Sequence, residues 1–95
     1  MTLKELENNL NEYKGNKVII GSPSSKKEGL FFGAHYIPNK DNLDFSVHTE
    51  NSIIKGPILG KHYTDSKIID TSDYKIFKVY LIDNKVLIFK FRKEN

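Results

Sequence analysis

The sequence predicts an α+β domain: one N-terminal helix packed on a largely antiparallel sheet of about five to six strands, ending in a long β-hairpin. Three observations carry this. A capped apolar stripe occupies residues 1–15; residues 17–92 are dense in Ile, Val, Phe, Tyr and Thr, with Ala34 the one alanine; and residues 74–92 form two alternating runs about a turn. A chain of 95 residues holds one core, so a single domain over 1–95 is expected.

The helix comes first. Thr2 followed by Glu5 has capping-box spacing, in which hydroxyl and carboxylate each accept from the other's backbone amide. Leu3, Leu6, Leu10 and Tyr13 then recur at intervals of three, four and three, and Gly15 stops the stripe as a left-handed cap. Strands are expected near Lys17–Gly21, Leu30–Ile37, Leu43–Thr49, Ile53–Ile54 with Ile58–Leu59, Lys67–Ile69, Tyr74–Ile82 and Val86–Lys93. The turn residues of 36–42 break the second from the third. In that third strand Leu43, Phe45 and Val47 alternate with Asp44, Ser46 and His48, the mark of one buried side.

The final hairpin is tested by parity. A three-residue loop, Asp83-Asn84-Lys85, sets Leu81 opposite Leu87, Val79 opposite Phe89 and Phe77 opposite Phe91, which makes one face wholly apolar. A two-residue loop puts Phe77 opposite Arg92, so the odd loop is expected. Its other face then carries Tyr74, Ile76, Lys78, Tyr80, Ile82, Val86, Ile88, Lys90 and Arg92, with Lys78 facing Lys90.

Composition excludes several classes of function. There is no cysteine, which removes disulfide scaffolds, thiol nucleophiles and cysteine-ligated metal. No apolar run approaches bilayer length and the N-terminus lacks a signal-peptide pattern, so a cytoplasmic protein without a membrane partner is expected. His35, His48 and His62 have no metal-ligand spacing, and no nucleophile motif occurs; neither metal, cofactor nor enzymatic activity is expected. The formal charge is +3, carried by 15 bases of which Arg92 is the one arginine. Residues 1–50 hold six lysines against seven acids and residues 51–95 nine bases against five, so the positive footprint lies C-terminal.

Two segments have the chemistry of an anion site. Gly21–Gly29 offers Ser22, Ser24, Ser25, Lys26 and Lys27 in what reads as a loop rich in hydroxyls and amides, though without Walker spacing. Lys55–Tyr63 brackets an apolar pair with glycines and ends in Lys61, His62 and Tyr63: a cation, an imidazole and a ring. A third group is an interaction surface: Phe31 and Phe32 in an all-apolar strand, and Lys78, Tyr80, Lys90 and Arg92 on the even face of the hairpin, covered by the helix or another subunit.

The expectation is a non-enzymatic binding protein, a homo-oligomer, that sequesters an anionic small molecule such as a nucleotide. The AT-rich composition, with eleven Ile and nine Asn, suits a protein carried by a phage or mobile element. The alternative is a module that inhibits or adapts a host protein through Phe31 and Phe32, and the third reading is single-stranded nucleic-acid binding.

Overall fold

In the computed structural model, which describes residues 1–93, helix α1 (Leu3–Asn11) begins where the capping box places it. Thr2 Oγ1 accepts from the Glu5 amide at 3.1 Å and Glu5 Oε1 accepts from the Thr2 amide at 2.9 Å. Leu3, Leu6 and Leu10 are buried as the stripe requires. The helix ends at Asn11, earlier than expected: residues 12–14 turn, and Gly15 (φ +89°) serves the entry to the sheet, where its amide reaches the Phe31 carbonyl at 2.7 Å. The last two residues of the expected 1–95 domain lie outside the described ones.

Eight strands follow, β1 (Lys17–Ser22), β2 (Ser25–Ile37), β3 (Asn42–His48), β4 (Ile53–Lys55), β5 (Ile58–Leu59), β6 (Tyr63–Asp70), β7 (Tyr74–Leu81) and β8 (Lys85–Arg92). They form one antiparallel sheet in the order β4-β3-β2-β1-β8-β7-β6, with β5 also on β3. The expected five to six strands become eight partly because Pro57, which has no amide to donate, and Gly56 split one edge segment into β4 and β5.

Chain length forces the sheet to curl. β5 lies beside β3 and β6 beside β7, yet residues 60–62 alone connect them. Four residue steps reach at most about 14 Å, whereas the six intervals from β5 to β6 in a flat sheet span roughly 28 Å. The sheet therefore wraps into an open shell, and the Ile82 amide, donating to the His62 carbonyl at 2.9 Å, extends the β6–β7 ladder into the link.

The concave side is the core. Phe91 lies at its centre, edge-on to Phe31 (5.4 Å) and Phe77 (5.8 Å) and stacked on Tyr13 (4.7 Å), while Phe45 meets Phe89 at 5.2 Å. Leu43, Phe45 and Val47 of β3 are buried, as their alternation predicts. Helix α1 closes the shell from β2 and β3 toward β6, where the Tyr63 hydroxyl donates to the Met1 carbonyl and contacts Ser66 Oγ at 2.6 Å.

The hairpin of β7 and β8 has the expected odd loop, but its register differs by two residues. Phe77 faces Phe89, Val79 faces Leu87 and Leu81 faces Lys85. The cause is at the tip: Asp83 (φ 62°) and Asn84 (φ 58°) take the left-handed conformation that short polar side chains tolerate, so they become the central pair and Ile82 the extra residue. Lys78 consequently faces Ile88 on one side and Lys67 on the other, and the expected Lys78–Lys90 pair does not form.

β2 contains the second departure from simple alternation. Phe31 pairs with Val47 and Gly33 with Ser46, leaving Phe32 as a bulge residue beside Gly33 (φ +114°). The bulge reverses parity, so Phe31 and then Ala34 and Tyr36 turn inward while Phe32 is pushed outward. Beyond Leu30 no strand lies on the β1 side of β2, because β1 pairs only with residues 25–30. The helix supplies the missing partners. Asn11 Oδ1 accepts from the Ala34 amide and Asn11 Nδ2 donates to the Ala34 carbonyl, both at 2.8 Å; one turn earlier, Glu7 Oε2 accepts from the Tyr36 amide at 2.5 Å. Glu7 is buried, and the Lys4 ammonium at 2.8 Å, followed by the Tyr36 amide, holds its carboxyl below the usual range.

Two outcomes follow from this edge. Asn11→Ala removes two partly buried hydrogen bonds and is expected to lower stability by about 2 kcal/mol, read as a fall in Tm of roughly 10 °C. Asn11→Asp restores only the acceptor and sets an oxygen against the Ala34 carbonyl, so it should not rescue. For Glu7 the sign is fixed by its lowered native pKa: its contribution is complete above 4.5, the ordinary value, and is lost as pH falls through the native one. Glu7→Gln keeps the acceptor for Tyr36 but not the charge. Urea titrations from pH 7 to 3 should show the variant about 1 kcal/mol less stable at neutral pH, with the gap narrowing in acid.

Candidate functional site

The first candidate segment is not a loop. β1 and β2 pair from Lys17–Leu30 to Ser22–Ser25, so Ser25, Lys26 and Lys27 are strand residues and only Pro23 and Ser24 form the turn. The hydroxyls are occupied with one another: Ser22 Oγ lies 3.3 Å from Ser24 Oγ and accepts from the Ser25 amide at 3.2 Å. Lys26 Nζ donates to the Pro23 carbonyl at 3.0 Å, and the cradle of free amides that the sequence implied is spent on the β1–β2 ladder. Gly21 is required here, since a Cβ on it would meet the Ser25 carbonyl oxygen at 2.1 Å.

The second segment divides. Lys61 is exposed, and Tyr63 is half-buried at the start of β6 with its hydroxyl turned to Met1 and Ser66, away from any ligand surface. Burial raises the pKa of that phenol above its ordinary value. His62 alone of the three points the other way, into a cleft.

That cleft joins both segments. It has a volume of about 510 Å³, within the range of about 300–1,000 Å³ typical of small-molecule sites. Phe45, Ile58 and Leu87 supply an apolar floor, Ser22 enters from the β1–β2 hairpin, and His62, Lys55 and Lys85 stand among its lining residues. Among the described residues no carboxylate lines it. The shape follows from the curl: the turn after β1, the β4–β5 break and the loop between β7 and β8 lie far apart in sequence and meet at one end of the shell. Gly56 is needed for the wall, because a Cβ there would approach the Phe45 ring at 2.8 Å. One chain by itself builds this concavity. Lys55 opens the second candidate segment, whereas Lys85 was missed because no sequence neighbour marks it.

The third group separates by burial. Phe31 is fully buried and belongs to the core, which removes it from any contact surface, whereas Phe32 is 51% exposed and stacks on His48 at 3.7 Å. Lys78, Tyr80, Lys90 and Arg92 share the convex face, opposite the helix, so the expected cover by the helix is absent. On that face Lys90 Nζ lies 4.1 Å from the centre of the Tyr74 ring.

The histidines occupy three separate places. His35 is exposed on the strand face opposite Asp44, with Nδ1 3.8 Å from Glu7 Oε2. His48 carries Phe32, and His62 lines the cleft. Among the described residues no helix is long and apolar enough to cross a membrane. Set against family descriptions, curated proteins and solved structures, the chain matches none of them.

Proposed function

We propose that this protein is a non-enzymatic binding protein whose cleft holds a small anion with an apolar or aromatic body, a nucleotide being the representative case. One observation carries the reading: an apolar floor of Phe45, Ile58 and Leu87 shares its lining with Lys55, Lys85 and His62 and, among the described residues, with no carboxylate. A flat hydrophobic body finds the floor, and phosphate oxygens find ammonium donors at the rim, where charge-assisted hydrogen bonds are the stronger kind. The rim offers no paired acid and base to do chemistry on such a ligand, which favours holding over turnover.

Calorimetric titration with ATP, GTP, CTP and UTP tests this. The expected result is saturable binding of at least one of them, weakened about tenfold or more by Lys55→Ala or Lys85→Ala, each of which removes one charge-assisted bond. Lys26→Ala with Lys27→Ala should leave affinity unchanged, since neither lysine lines the cleft. Loss with the second pair and none with the first would move the site to the hairpin and contradict the proposal, as would no binding at all.

A further inference from the structure

Among the described residues nothing covers the convex face of the sheet, and its residues follow a pattern that folding does not need. Antiparallel partners point to the same side, so a continuous row can be read across five strands. His48 of β3 faces Leu30 of β2, Leu30 faces Lys17 of β1, and Arg92 of β8 faces Tyr74 of β7. Lys17 and Arg92 close the row, lining one shallow hollow together with Tyr74 and Lys90. Along the surface it spans roughly 19 Å.

Both ends of the row are aromatic and its middle is cationic. At one end the bulge ejects Phe32 onto His48, with ring planes 11° apart and the Phe32 side chain open to solvent. At the other end stands Tyr74 under the Lys90 ammonium. Lys67 and Lys78 face each other in the next row but one, where like charges destabilise the pair unless an anion lies between them. Glu28 is the carboxylate in the hollow. Leu30, 44% exposed, adds apolar surface between the cations and Phe32.

We infer that this face binds single-stranded nucleic acid, with phosphates on Lys17 and Arg92 and unstacked bases on Phe32 and Tyr74. Cations flanked on both sides by aromatic rings on a sheet match a strand whose bases are free to stack, whereas a duplex hides its base faces and leaves the rings unused. A second copy of the chain is disfavoured by charge, because a two-fold contact through this face sets the same cations against one another. The inference is independent of the cleft, which opens at the end of the shell.

The test is fluorescence anisotropy with 5′-labelled 15-nucleotide dT and U oligomers, at several salt concentrations, on protein whose folding is followed by its melting curve. The expected result is binding whose log affinity falls linearly with log salt, with a slope reduced by about 1.4 in the Lys17→Ala, Arg92→Ala double variant, the loss of two phosphate contacts. Tyr74→Ala and Phe32→Ala should each weaken binding about tenfold, and Tyr74→Phe should retain it. Lys85→Ala, opposite Leu81 on the concave side, should change nothing, which separates this site from the cleft. No binding at low salt would overturn the inference. So would a duplex bound as tightly as the single strand, affinity insensitive to Tyr74→Ala and Phe32→Ala, or a dimer in sedimentation that Arg92→Glu dissociates.

Discussion

A strand edge with no neighbour must find other partners for its amides or leave them wet, and in this fold the outer half of β2 finds them on a helix. Asn11 reads both polar groups of Ala34, and Glu7, one turn earlier, takes the amide of Tyr36. These side chains act as a fragment of strand. Because they hold the helix along β2 while Leu3, Leu6 and Leu10 fill the shell, one nine-residue element both seals an edge and completes the core. The bulge at Phe32 belongs to the same arrangement, since it turns Ala34 and Tyr36 toward the helix.

The curl that the helix closes also determines what the protein presents. The three-residue link from β5 to β6 brings the two ends of the sheet together, and the cleft forms where the β1–β2 turn, the β4–β5 break and the β7–β8 loop converge. On the opposite side of the same sheet nothing is packed among the described residues. A chain of this size has one helix to spend, and spending it on the concave side leaves the convex side to solvent or to a partner. Cleft and face are thus two results of one packing decision.

Local patterns were legible where chemistry acts over a few residues. The reciprocal Thr2 and Glu5 cap, the buried alternation of Leu43, Phe45 and Val47, and the odd loop of the last hairpin all follow from spacing. What escaped was set by neighbours distant in the chain. Ser25 to Gly29 is polar and reads as loop, yet it pairs with β1 because Ile19 and Ile20 need a partner strand. Residues 64–66 looked like turn because an edge strand tolerates polar residues, and β6 is correspondingly longer than its apolar part. Glu7 and Asn11 sit beside the apolar stripe and resemble ordinary helix surface; their role depends on a strand more than twenty residues away. Of the candidate site residues, Ser22 and His62 were reached by sequence, as was the segment that Lys55 opens, while Lys85 became visible only once the shell was closed.

The most direct test of the account is amide hydrogen exchange at Ala34 and Tyr36. If the helix side chains replace a strand, these two amides exchange as slowly as those of the β1–β8 ladder, such as Ile20. Exchange as fast as that of the exposed turn residues Asn39 and Asn51 would contradict it, because the edge of β2 would then be open and the closed shell would lose its support.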